Sequence, residues 1–363
     1  MPTLFDPITL GDIACPNRIL FAPLTRGRSD AGHVPVSALK ADYYAQRASA
    51  GLMIAEATGI TQEGLGWPSA PGIWSDQQVE AWKPVTDAVH KADGRIILQL
   101  WHMGRLVHPD FLGGEQPVSS SSTTALGKAH TPTGKSPYVE ARALRLDEIP
   151  RLIGDYVHAA KNAMKAGFDG VQLHSANGYL IDQFLRDNSN FRDDGYGGPI
   201  ENRIRLLREV VQALADTVGA GRTSVRLSPN GITQSADDSN PEQLFPAAAA
   251  ALDAIGIGFL ELREVKTFGN FGTTDVPRVS PLIRKVFKGP LILNQEYTRE
   301  TADEDMASGL ADGISFGRPF IGNPDLVERL AAGIPLAPDN YKTWYSPGAE
   351  GYTDYPVAVR ENA

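Results

Sequence analysis

His174 and Asn177 stand close together at the end of a short apolar run, Gly170-Val171-Gln172-Leu173-His174, and Tyr179 follows directly after Gly178. An imidazole N–H and a carboxamide N–H can be aimed at one oxygen, while a phenol beside them holds a proton to give. Donors on an oxygen stabilise negative charge that grows there, and a proton delivered nearby completes the reduction of a double bond polarised by a carbonyl. A core histidine followed by an Asn-Gly turn is the plainer reading of the same residues. The choice between them depends on whether distant parts of the chain bring matching groups to the same place.

Short runs rich in Val, Ile, Leu and Phe recur along the chain and predict strands over 18–24, 52–57, 95–101, 170–174, 224–228, 259–263, 291–295 and 313–317. Segments with helical spacing lie between them, over 76–92, 146–166, 201–218, 241–255 and 298–309. Near-continuous apolar strands fit a parallel sheet covered on both faces, and eight such units predict an α/β fold, a (β/α)8 TIM barrel. Asp147, Asn240 and Thr298 are expected N-caps, with Pro150 and Pro241 in first turns, and Gly167 and Gly309 are expected to end helices. Residues 103–145 break the pattern with Ser, Thr, Gly and Pro, Ser119 to Ser122 being the most polar part. Following the third strand directly, they are expected to form a folded, lid-like excursion over the barrel mouth, a hairpin being one form it can take. No domain boundary is evident, so residues 1–363 are expected to form a single domain.

Barrel enzymes build their sites at the C-terminal ends of the strands. Those ends carry Pro23-Leu24-Thr25-Arg26, Gln99-Leu100-Trp101-His102, His174 with Asn177, Arg226, Asn294-Gln295 and Gly317-Arg318. A strand-end Thr25 is ordinarily a turn former, and Gly-Arg alone says little. Gln99 inside Ile-Ile-Leu-Gln-Leu-Trp says more, because a buried amide must satisfy both its donors and its acceptor. A heteroaromatic ring with alternating carbonyl and N–H groups would do so. Arg226 needs an anion or an electron-rich group, or else a buried ion pair with Glu56 or Glu261. Gly317-Arg318 after the eighth strand suits a phosphate. A planar ring with a phosphate at its far side describes FMN better than a sugar phosphate, although a metal-free lyase or isomerase acting on a sugar phosphate is the alternative at this point.

Composition narrows the partners. A net charge of −9, with no dense Lys/Arg run, argues against nucleic acid and anionic membranes. The single cysteine, Cys15, leaves no disulfide framework and no thiolate set for a metal. No window reaches the roughly 18 apolar residues of a membrane span and no secretory signal opens the chain, so a cytoplasmic protein is expected.

The same residues resemble the old yellow enzyme family of FMN-dependent NAD(P)H ene reductases. The resemblance runs from Leu4-Phe5-Asp6-Pro7 to Gly351-Tyr352-Thr353-Asp354-Tyr355-Pro356. It is carried by Asn17-Arg18-Ile19, Ala22-Pro23-Leu24-Thr25-Arg26, Glu56-Ala57-Thr58, Gln99 to Arg105, Gly167 to Val171, Tyr196-Gly197-Gly198 and Glu201-Asn202-Arg203. It implies non-covalently bound FMN, with NADPH or NADH as reductant and activated alkenes (enones, enals, maleimides, nitroalkenes) as substrates. It further implies that Thr25 meets the flavin O4, Gln99 the pyrimidine edge and Arg226 the N1–O2 side, with backbone contacts from Pro23, Leu24 and Ala57. Asn294, Gln295, Phe316, Gly317 and Arg318 would hold the ribityl phosphate. His174 and Asn177 would bind the substrate oxygen, and Tyr179 would protonate the α-carbon after hydride reaches the β-carbon. Trp67, Trp101, Phe271 and Tyr352 are the expected pocket walls, and a monomer or homodimer is expected. The chain carries Thr25 where one branch of the family has cysteine, and Asn177 where many relatives have a second histidine.

Overall fold

The computed structural model describes residues 2–265 and 274–358. Eight parallel strands close into a barrel in sequence order, each hydrogen-bonded to the next. They are β1 (Ile19–Phe21), β2 (Leu52–Gly59), β3 (Ile96–Trp101), β4 (Val171–His174), β5 (Thr223–Leu227), β6 (Phe259–Arg263), β7 (Leu291–Asn294) and β8 (Gly313–Phe316). Each expected strand is present, its ends displaced by three residues at most, and the second runs two residues further, to Gly59.

Alternation sorts each strand's side chains between two cores. Leu20, Leu52, Ile54, Ile97, Phe259 and Ile292 fill the lower interior, together with Leu10, Ile13 and Cys15 from an antiparallel hairpin, Ile8–Leu10 with Ile13–Cys15. That hairpin, which is not among the expected elements, plugs the N-terminal mouth. The opposite faces, such as Met53, Leu98, Leu173, Val225 and Leu260, pack against the surrounding helices. The helix Arg205–Val218 shows the amphipathic logic, burying Leu206, Leu207, Val210, Val211 and Leu214 and leaving its charged residues outside.

Asn240 and Thr298 cap their helices, accepting from the backbone N–H of Gln243 and Thr301. Asp147 does not. A 3-10 turn over Leu146–Glu148 already runs through it, closed by Glu148 accepting from the Arg145 N–H at 2.8 Å, and the main helix begins at Ile149. The expected helix over 201–218 is interrupted, with Ile200–Arg203 and Arg205–Val218 meeting at Ile204.

The excursion after β3 is folded. Val118–Ser119 pairs in parallel with Arg142–Ala143, and Lys128–Thr131 forms a hairpin with Gly134–Pro137. Of its most polar part, Ser119, Ser120 and Ser121 are buried and Ser122 is exposed. Ser119 and Ser120 donate to Gln183 Oε1 (2.8 Å), Gln183 O (2.9 Å) and Ser189 O (2.7 Å), stitching the excursion to the segment that follows Tyr179.

Candidate active site

A cavity of about 590 Å³ opens at the C-terminal end of the barrel. From β1 and the turn after it come Pro23, Leu24 and Thr25, from β2 Ala57, from β3 Gln99 and Trp101, and from β4 and its turn His174, Asn177 and Tyr179. Arg226, Asn294, Gln295, Phe316, Gly317, Arg318 and Trp67 complete the set read from the sequence. One expected wall differs, and one falls on undescribed residues. Tyr352 is fully buried away from the cavity, its ring stacked on Tyr43 at 3.9 Å, and Phe271 lies outside the described residues. Tyr345 lines the cavity instead of Tyr352, together with Trp344, Thr233, Gln234 and Arg263.

Local geometry explains why these side chains face inward. In β2, simple alternation after Leu52 and Ile54 would turn Glu56 into the barrel. A register irregularity between Ala55 and Thr58 brings Ala57 to the cavity, while Glu56 pairs with the buried Lys40 at 2.5 Å. The second Glu56 oxygen accepts from the Arg26 N–H at 3.2 Å, which fixes the turn carrying Thr25. After β4, Asn177 (φ 60°) and Gly178 (φ 77°) are both left-handed. A side chain at 178 would meet Thr233 O at 2.7 Å, so glycine is required there. The Asn-Gly turn is therefore real, and it is the device that presents Asn177 and Tyr179. Asp182 Oδ2 accepts from the Gly178 N–H at 2.8 Å and is paired with Arg186, which anchors the turn from beneath.

A buried polar network crosses the floor. Gln99 donates to Gln172 Oε1 (2.8 Å), and Gln172 donates to Glu261 Oε2 (3.0 Å). Glu261 Oε1 accepts from Arg226 Nη1 and from Ser315 Oγ, both at 2.5 Å. Arg226 Nη2 donates to Asn294 Oδ1 (2.7 Å), whose Nδ2 donates to Ser315 O (2.7 Å). Arg226 has the ion pair with Glu261 and also lines the cavity. Gln99 keeps one acceptor and one N–H, the complement of a pyrimidine edge with a carbonyl beside an N–H. With Arg226 next to it and Arg318 at the rim, the donor set fits an isoalloxazine ring carrying a phosphate chain.

His174, Trp101 and Tyr179 pack together, with the Tyr179 ring edge-on to His174 at 4.8 Å and to Trp101 at 5.0 Å. His174 Nδ1 accepts from the Ala176 N–H at 3.4 Å, which leaves Nε2 as the protonated, donating nitrogen. Burial, together with the positive charges of Arg226 and Arg263, holds the imidazole well below its usual pKa, so it donates as a neutral ring. Burial raises the Tyr179 phenol, with the neighbouring Tyr138 and Tyr345 adding to the shift, so it keeps its proton near neutrality.

A further wall comes from the C-terminal strap over 339–356. Arg28 donates to the carbonyls of Thr343, Trp344, Gly348 and Glu350, and Arg26 donates to those of Trp344 and Gly351. These buried guanidiniums seat Trp344 and Tyr345 over the cavity. No periodicity or motif in the sequence signals this.

A family model described as "NADH:flavin oxidoreductase / NADH oxidase family" matches residues 3–337. The chain belongs to the old yellow enzyme family of flavin oxidoreductases. It is 60% identical to the old yellow enzyme homologue of Zymomonas mobilis, whose structure superposes with a TM-score of 0.97 over 98% of this chain and 100% of that one. Morphinone reductase, solved in complex with tetrahydroNAD, is 41% identical with a TM-score of 0.93 over 100% of this chain and 99% of that one. The 12-oxophytodienoate reductase 2 of Arabidopsis thaliana is 40% identical over 363 residues, 97% of this chain and 95% of that protein. An old yellow enzyme relative is an oxidoreductase, which displaces the sugar-phosphate lyase or isomerase alternative. Among the described residues, no helix is long and apolar enough to cross a membrane and no His/Cys/Asp/Glu group is arranged to hold a metal.

His102, buried at the end of β3, is pushed down to about 4 by burial, and His174 is lowered in the same direction. An unfolded chain binds protons at both histidines below about 6.5 while the folded one does not, so stability falls as pH drops through that value. Urea unfolding at pH 7.5 and pH 5 should show a lower midpoint at pH 5. In a His102→Gln variant, that pH dependence should be smaller.

Proposed function

We propose that the protein is an FMN-dependent ene reductase that uses NADPH or NADH to reduce the C=C bond of activated alkenes such as enones, enals, maleimides and nitroalkenes. The observation that carries this is the convergence of two neutral donors and one protonated phenol on the cavity that Gln99 and Arg226 floor. The chemistry that FMN supplies when bound is reversible hydride-level redox. Gln99 and Arg226 would orient the ring, and the positive charge of Arg226 favours the electron-rich reduced state. Arg318, Gly317 and Gln295 would hold the phosphate end, with Thr25 and Ala57 along the ring. His174 Nε2–H and the Asn177 amide bind the carbonyl or nitro oxygen of the alkene and stabilise negative charge as it builds there. Tyr179 holds the proton destined for the α-carbon. Trp67, Trp101, Trp344 and Tyr345 exclude water and confine the substrate. The excursion over 103–145 reaches this wall through the contact of His130 with Trp67, ring centroids 4.9 Å apart, which supports its role as a cover. The relatives' names point the same way, two of them being reductases and one being bound to a nicotinamide analogue.

The purified protein should be yellow, bleach when NADPH is added without air, and recover its colour with 2-cyclohexenone. A protein that stays colourless after incubation with FMN would overturn the proposal. Tyr179→Phe should leave bleaching by NADPH intact and slow alkene-driven recovery by roughly a hundredfold. Recovery at the wild-type rate would remove Tyr179 as the proton donor.

A further inference from the structure

Arg263 ends β6 and lines the cavity, and neither its strand position nor its surroundings assign it a part in the steps above. Its guanidinium gathers three separate loops. Nη1 donates to Asn177 Oδ1 (3.1 Å) and Thr233 Oγ1 (3.2 Å), and Nε donates to Gln295 Oε1 (3.1 Å). All three acceptors are neutral oxygens. A guanidinium has no lone pair to offer, so whatever faces it must be an acceptor. The bond to Asn177 therefore settles which way the amide is turned, with Oδ1 toward Arg263 and Nδ2 away from it. Little else constrains that choice, since Asn177 is otherwise held by its backbone N–H, which donates to Ser228 Oγ at 2.8 Å. The opposite flip would present oxygen lone pairs to the substrate oxygen and replace a donor with a repulsion.

We propose that Arg263 is a positioning residue: by holding Oδ1 of Asn177 it turns the amide N–H toward the oxygen of the bound alkene. The proposal rests on the ene-reductase reading of the site. It separates from a direct electrostatic effect of the cation on the substrate, because a positioning role acts only while Asn177 is present.

Arg263→Met and Arg263→Lys, each alone and in an Asn177→Ala background, distinguish the two in the holoenzyme. Binding of 2-cyclohexenone to the oxidised protein is followed by calorimetry without nicotinamide, and flavin reoxidation by stopped flow. Arg263→Met should weaken binding and slow reoxidation by roughly tenfold with Asn177 intact and by nothing further once Asn177 is alanine, while Lys recovers part of the loss. Losses that multiply in the double variant overturn the proposal, as does an Arg263→Met enzyme that matches wild type. If the Met variant does not fold, the Lys variant carries the same cycle. The side-chain amide pair of Asn177, identified in ¹H–¹⁵N NMR spectra by its absence in Asn177→Ala, should shift on Arg263 replacement with no substrate present. An unmoved signal also overturns the proposal. Failure of the wild type to reduce any enone would remove the functional reading, and the amide signal would still report on the Arg263–Asn177 bond.

Discussion

Arg226→Met is expected to cost about 3–5 kcal/mol of stability and to strip the protein of FMN. Glu261 is fully buried, and its oxygens are met by Arg226, Gln172 and Ser315. Removing the guanidinium leaves a carboxylate in the barrel floor with two neutral donors, and replacing its hydration requires more than those. The urea midpoint should fall sharply, and the flavin-to-protein ratio after purification should drop with it. Adding Glu261→Gln to Arg226→Met should recover a large part of the midpoint, because the unpaired charge is gone, while FMN stays lost. A single Arg226→Met variant with wild-type stability would mean that the floor network does not hold the fold.

His174→Ala carries the largest expected effect on turnover, a loss of about a hundred- to a thousandfold in alkene reduction. The ring donates from Nε2 because Nδ1 is committed to the Ala176 N–H, so the donor is aimed before substrate arrives. Alanine also removes a ring against which Tyr179 and Trp101 pack, so His174→Gln, which can keep a donor, should retain more activity than His174→Ala. Because the imidazole is held neutral by burial and two guanidiniums, its donation should be constant between pH 6 and 8, with no inflection near the usual histidine range. An inflection there that disappears in His174→Gln would show a titrating ring and a different binding state.

The barrel was legible because parallel strands covered on both faces must be almost wholly apolar, and a polar residue within one, such as Gln99 or Arg226, then announces a site. The helix ends at Asn240 and Thr298 were legible for an equally local reason, a short side chain reaching its own backbone. Asp147 misled because the chain is already turning at Leu146, which puts Asp147 inside the first turn and not ahead of it. What the sequence did not disclose are features created by distant chain crossings. Tyr352 and Tyr345 are both tyrosines of one strap, and nothing local distinguishes the one stacked in the core on Tyr43 from the one facing the cavity. Arg263 was read as a strand boundary, and only closure of the barrel brings Asn177, Thr233 and Gln295 around it. The burial of Ser119 and Ser120 was not legible, because composition records polarity and not the buried oxygens that receive it.

The strap's attachment has an evolutionary consequence. Tyr352 holds the strap to the core, while around residues 344 and 345 Arg26 and Arg28 grip it by main-chain carbonyls, which every residue type supplies. Exchanging residues 344 and 345 forfeits the contacts of Trp344 with Asp339 and Arg318 and of Tyr345 with Trp67 but leaves that main-chain grip in place, while the chamber they face changes shape. A lineage, or a directed-evolution library confined to those two sites, could explore new alkenes without first having to rebuild the scaffold.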